Sequence, residues 1–182
     1  MGAGRLAHCE RTAALCRDVA AGQPALGIDP ERAALAGLVH DWGRGEGDGP
    51  ALVAYAERAG IAVSDAARRE PLALLHAPVG AHALRARGLG DEDVLRAVAY
   101  HTVGRPGMTR LEMLVYTADF CEPGRGHEGA AGVRAALSAD LIAAARQATA
   151  HTLRHLLERG RAIELGSVET WNDLVMRGAV AG

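Results

Sequence analysis

The chain has 182 residues, of which 49% are hydrophobic and only 3% aromatic, with a formal net charge of −2. That length accommodates one domain with a sizeable core, and the near-neutral charge excludes the basic footprint of a nucleic-acid binder. Ala and Leu dominate while β-branched and aromatic residues are sparse, which points to an all-α fold.

All 20 basic residues are arginine, a side chain that grips phosphate in a bidentate fork. Cys9, Cys16 and Cys121 are odd in number and form no CxxC, so reduced thiols in a cytoplasmic protein are expected. No early apolar segment follows a basic start, and no apolar run approaches about 18 residues. Neither secretion nor a membrane span is expected.

In chain order, Arg5 to Ala21 reads as a first helix, with Leu6, Cys9, Ala13, Cys16 and Ala20 spaced as a buried stripe. His8 lies one position off that stripe and reads on its own as a surface residue. Asp29-Pro30 forms an N-cap with Pro at the first helical position, launching a helix to Val39. His40-Asp41 closes this apolar helix, and Gly43 to Gly49 follows as a glycine-rich loop. It lacks GxxxxGK[ST], so it is no P-loop. Arg44 stands just past the His-Asp pair and can turn back to it.

A helix is expected over Pro50 to Ala59, then a polar connection through Ser64, Asp65, Arg68 and Arg69. Pro71 to Arg87 reads as helical with an interruption at Pro78, and His76 shares a face with Leu72. Asp91-Glu92-Asp93 opens the next helix with acids in the first turn. There Val94, Val98 and His101 fall at i, i+4 and i+7, placing His101 on the buried stripe. Thr109-x-x-Glu112 is a capping box; Leu111, Val115 and Asp119 then share an apolar face. A long Ala-rich helix is expected from Ser138 to Arg159, Ala162 to Leu165 as a short extended segment, and a final helix from Ser167 to Met176 capped by Ser167. His82, His127, His151 and His155 read as surface or interface histidines.

An unpaired buried carboxylate is expensive, and a lone His-Asp dipeptide is weak evidence of any site. Taken jointly, His8, His40-Asp41, His76, His101 and Asp119 are harder to dismiss. One helical domain shelters four imidazoles and two carboxylates at or near apolar faces, and a metal centre would satisfy them together.

The set and order His8, His40-Asp41 and Asp119 resembles the H…HD…D pattern of the HD-domain metal-dependent phosphohydrolases. His76-Ala77-Pro78-Val79-Gly80-Ala81, Tyr100-His101-Thr102 with Gly104 to Thr109, and Tyr116-Thr117-Ala118-Asp119 with Glu122-Pro123 and Arg125 resemble the YqeK family. Its members are symmetrical diadenosine tetraphosphate hydrolases. Trp42-Gly43-Arg44 stands where that family more often has Tyr-Ala-Lys, and Cys9 where it has Thr.

The resemblance implies a single HD domain over residues 1–182, an HD-type helical bundle. It implies iron, or another divalent transition metal such as manganese, cobalt or nickel, held by His8, His40, Asp41 and Asp119. One ion is preferred over two, with His76 and His101 the candidate ligands of a second. Catalytic roles fall on His40, Asp41, Arg44, His76 and His101. A dinucleoside polyphosphate or an ADP-like nucleotide would meet Arg5, Asp41, Trp42, Gly43, Arg44, His76, His101, Thr102 and Arg125. Its nucleoside would lie near Arg5, Ala162, Ile163, Glu164 and Leu165. The implied reaction splits diadenosine tetraphosphate into two ADP with metal-activated water. Alternatives are an HD phosphohydrolase acting on a dNTP or mononucleotide, and a non-catalytic nucleotide-binding module. No nucleic-acid polymer or membrane partner is implied, and a homodimer is left open.

Overall fold

The computed structural model describes residues 2–180, and among these every regular element is helical. In chain order they are α1 (Ala3–Gly22), α2 (Pro30–Val39), α3 (Gly49–Arg58), α4 (Asp65–Arg69), α5 (Pro71–Leu74) and α6 (His76–Ala86). They continue as α7 (Glu92–Tyr100), α8 (Arg110–Cys121), α9 (Ala130–Leu137), α10 (Leu141–Glu158) and α11 (Leu165–Val180). Short 3-10 turns span Pro24–Leu26 and Trp42–Gly45. No helix among the described residues is long and apolar enough to cross a membrane.

Local chemistry sets most helix starts. Asp29 accepts a hydrogen bond from Arg32 N ahead of Pro30, and Asp91 accepts from the amides of Asp93 and Val94. Thr109 and Glu112 form the reciprocal capping box, satisfying two amides that a helix start leaves unpaired. Glu112 is itself buried, and Arg105 donates to both of its oxygens at 3.0 and 2.9 Å. This ion pair ties the loop after His101 to the start of α8.

The helix α8 is the axis of the bundle. Residues Leu111 to Ala118 are buried on every side, as befits a helix surrounded by others. Around it, Cys16 and Val19 of α1, Ala33 of α2, Val94 of α7, Val133 of α9, Ala144 and Ala148 of α10 and Leu174 of α11 form the main core. Gly37 lets α1 and α2 meet closely, because a Cβ there would lie 2.9 Å from Ala13 Cα. A smaller cluster of Leu52, Ala56, Ala67, Leu75 and Val79 joins α3, α4 and α6. All three cysteines are free and buried.

Several expected elements differ. Leu6 is 45% exposed, because the stripe of α1 that meets α2 and α8 begins at Cys9. The break expected at Pro78 falls at Leu75 instead. Pro78 is the third residue of α6, where an amide has no intrahelical acceptor to lose. Hence Leu72 faces solvent while His76 is buried. Residues 65–69, expected as a connection, form α4 with Ser64 as its cap. The long helix begins at Leu141 with Asp140 as cap, and a separate α9 precedes it. No strand forms at Ala162 to Leu165; Leu165 opens α11, so Ser167 lies inside that helix rather than capping it.

Candidate metal centre

His8 comes from the middle of the first turns of α1, His40 and Asp41 from the end of α2, His76 from the start of α6, His101 from the end of α7 and Asp119 from α8. Their polar atoms converge. His8 Nε2 lies 3.1 Å from His40 Nε2 and 3.0 Å from Asp119 Oδ1. Asp119 Oδ1 is 3.6 Å from His40 Nε2. Asp41 Oδ1 is 3.3 Å from His76 Nε2, 3.7 Å from His101 Nε2 and 4.0 Å from His40 Nε2. His76 and His101 present their Nε2 atoms to each other at 3.0 Å, with Thr102 Oγ1 3.2 Å from both.

The opposite edges of these rings decide what the convergence means. His40 Nδ1 is 2.7 Å from the Gly37 carbonyl, and His101 Nδ1 is 2.7 Å from the Val98 carbonyl. Both oxygens can only accept, so each Nδ1 donates. His8 Nδ1 likewise donates to Glu122 Oε1 at 3.1 Å. In its neutral form each of these three rings therefore turns an Nε2 lone pair inwards, towards other lone pairs and two carboxylates. A cation is what such a donor set lacks, and nitrogen and oxygen ligands of this kind suit a divalent transition metal. Three overlapping groups have the spacing to hold an ion: His8, His40 and Asp41; His40, His101 and Asp119; Asp41, His76 and His101.

The electrostatics agree. Burial disfavours charge on Asp41, yet the neighbouring His101 and His76 imidazoles, with His40 and Arg44, hold its carboxyl well below the usual range. Burial of Asp119 is likewise outweighed by His40 and His8. Burial works against a proton on His40, but the Asp119 carboxylate beside it raises the pKa. The negative potential that favours a proton there favours a metal cation equally. His76 is pushed down to about 4, chiefly by burial, despite Asp41; its Nδ1 has no protein partner.

Two arginines flank the carboxylates. Arg44 Nε donates to Asp41 Oδ1 at 2.6 Å and Arg125 donates to Asp119 Oδ1 at 2.8 Å. Arg5 reaches the Arg44 carbonyl at 3.4 Å, with its Nε 4.0 Å from Asp41 Oδ2. Arg44, His101, Thr102, Asp119 and Arg125 share a cavity of ≈ 220 Å³ with Tyr116, Phe120, His127 and Thr152. Trp42 and Gly43 form the turn beneath it, the Trp42 indole donating to Glu46 at 3.0 Å. Glu164 stands elsewhere, accepting from Ser64 at 2.6 Å in a separate ≈ 340 Å³ cleft with Tyr100 and Val103. Ala162, Ile163 and Leu165 line neither cavity.

Sequence reasoning passed over Glu122 and Arg11. Glu122 is 1% exposed. It accepts from Arg11 at 2.6 and 3.1 Å, from Gly124 N at 2.5 Å and from His8. Burial opposes its charge, but these donors lower its pKa to about 2. It thus remains anionic and fixes the tautomer and angle of His8, the usual service of a carboxylate behind a ligand histidine.

Comparison with known proteins agrees with this geometry. The HD domain family matches residues 5–124. A symmetrical bis(5'-nucleosyl)-tetraphosphatase from Bacillus subtilis (strain 168) is 34% identical over 157 residues, covering 82% of this chain and 79% of that protein. One of the same description from Halalkalibacterium halodurans is 39% identical over 104 residues, 57% of this chain and 56% of its own. A crystal structure of a protein from Clostridium acetobutylicum, described as a predicted HD superfamily hydrolase involved in NAD metabolism, superposes with a TM-score of 0.89 at 31% identity. It covers 97% of this chain and 92% of that one.

Proposed function

The chain belongs to the HD domain family, matched over residues 5–124, and on that premise we propose that it hydrolyses diadenosine tetraphosphate symmetrically into two ADP. What carries this reading is the set of inward Nε2 lone pairs and two carboxylates, flanked by Arg44 and Arg125 in one cavity. The relatives described as symmetrical tetraphosphatases support the choice of substrate. As a whole the chain is one HD domain.

The ion that suits the site is iron, with manganese, cobalt or nickel able to take its place. His8, His40, Asp41 and Asp119 would hold it, and a single ion suffices. When bound, such an ion polarises a phosphoryl oxygen and acidifies water near neutral pH.

The chain's own groups do the rest. Arg44 and Arg125 each bond a carboxylate through one or two of five N–H donors, leaving others to bind phosphoryl oxygens. Thr102 and His101 face the same cavity, with His76 against both, and orient the phosphate beside them. Water adds to the second phosphorus of the chain and gives up a proton to solvent; the bond from that phosphorus to the oxygen it shares with the third breaks. That oxygen keeps the electron pair and leaves on the other ADP. Positioning and charge neutralisation supply most of the catalysis of such a transfer. Arg5 and Glu164 bear on a nucleoside, Glu164 from the cleft it shares with Tyr100 and Val103.

Chromatography of the products tests the proposal. Metal-loaded protein should release ADP alone from diadenosine tetraphosphate. ATP with AMP would overturn symmetric cleavage, and turnover confined to mononucleotides would overturn the substrate.

A further inference from the structure

The cavity beside the metal-ligand cluster adjoins a second one. Phe120, His127 and Thr152, which wall the ≈ 220 Å³ cavity with Arg125 and Asp119, also wall an adjoining cavity of ≈ 390 Å³. The far side of this second cavity is formed by His151, His155 and Leu156 of α10. Its volume lies within the range of small-molecule sites, roughly 300–1,000 Å³. Phe120, His127, His151 and His155 give it four rings.

The walls are held in place. His127 packs edge-on against Phe120, with ring centroids 4.6 Å apart, and its two nitrogens lie 3.0 Å from the Phe120 and Glu128 carbonyls. His151 tilts by 31° against Phe120 at 6.0 Å. On its other side the His151 ring rests on Gly129, whose φ is +85°. A Cβ at that glycine would lie 2.5 Å from His151 Cε1, so the residue without a side chain is what admits the ring. Phe120 is the only phenylalanine of the chain, and it stands one residue after Asp119.

We propose that this cavity receives the second nucleoside of the dinucleotide, its base lying on the Phe120 and His151 rings while the phosphates run past Arg125 to the cluster. The inference rests on the dinucleotide reading above. Cleavage at the middle of a symmetric substrate leaves a nucleoside on each side of the scissile bond. The Glu164 cleft is lined by Leu75, Ala77 and Tyr100, chain neighbours of His76 and His101, and the second cavity by Phe120, the chain neighbour of Asp119. Stacking on a ring accepts any base, so this half of the substrate is read by its flat face.

Steady-state kinetics on diadenosine tetraphosphate tests this, with adenosine 5'-tetraphosphate, which lacks the second nucleoside, as a competitive inhibitor. His151→Ala and, separately, His155→Ala leave the cluster untouched. Loss of one stacking wall should raise KM about tenfold for His151→Ala, and less for the exposed His155. Meanwhile kcat should stay within about twofold, and the inhibitor's Ki should not move. Unchanged KM in both variants would overturn the inference, as would a Ki rising in step with KM. A wild-type protein that releases no ADP would instead defeat the hydrolase reading itself.

Discussion

Asp41→Asn should lose its metal and slow turnover by about a thousandfold or more, because several kcal/mol of transition-state stabilisation leave with the ion. The substitution keeps the shape of the side chain and removes its charge. Asp41 sits at φ −90°, ψ 14°, where the chain leaves α2. Its Oδ1 faces His76, His101 and His40 within 4.0 Å. An amide there turns either a neutral oxygen or an N–H towards ring nitrogens that already hold lone pairs. The first attracts a cation weakly and the second repels it. The fold should survive, because main-chain bonds such as Arg44 N to Asp41 O do not depend on the carboxylate. The check pairs metal content with kcat on the same preparation. A variant with wild-type kcat would remove Asp41 from the chemistry.

Gly43→Ala should cost about 3 kcal/mol, the upper range for overpacking into atoms that cannot move. For a chain of this size that lowers Tm by roughly 6–12 °C. A Cβ at Gly43 would run into the His76 carbonyl, 2.9 Å from its carbon and 2.7 Å from Gly80 N. All of these are backbone atoms. The Trp42–Gly45 turn therefore rests directly on the first turns of α6, with no side chain between them. Because Asp41 and Arg44 flank this contact and His76 lies across it, the variant should lose metal affinity along with stability. Gly45→Ala is the control, since nothing lies within 4 Å of a Cβ there. Calorimetry of both decides: equal melting temperatures would show that the contact carries no strain.

The glycine pair shows where sequence reading stops. Gly43 reads as loop flexibility beside Gly45, Gly47 and Gly49, whereas in the fold it is a place of closest approach. Nothing local distinguishes the two, because the partner is a carbonyl on another helix. Glu122 is similar. Glu-Pro-Gly reads as a helix terminator, and it is one, yet the carboxylate's partners Arg11 and His8 lie more than 110 residues away. Leu6 fits the stripe of α1 and faces solvent, since periodicity names a face without saying how far along the helix its neighbours extend. The short apolar run Ala162 to Leu165 suggested a strand, but no second strand exists among the described residues to pair with it.

What was legible had local chemistry behind it. Asp29-Pro30 marks the start of α2, and Thr109 with Glu112 the start of α8. The spacing Val94, Val98, His101 places an imidazole on a buried stripe. For the site, residue type in the right order sufficed: His8, His40, Asp41, His76, His101 and Asp119, read from separate segments, meet in one cluster. Their neighbours Arg44, Thr102 and Arg125 line the cavity beside it, while Ala162, Ile163 and Leu165 lie outside it. The Glu122–Arg11 pair behind His8 and the cavity beyond Phe120 depend on contacts made only when the helices pack.

The most direct test of the central claim is removal of the metal. Protein purified without oxygen should carry a divalent transition metal on each chain and hydrolyse diadenosine tetraphosphate. Chelation should abolish turnover while leaving the helical circular-dichroism spectrum in place, and added iron or manganese should restore it. Full turnover by protein shown to be free of metal would contradict the account.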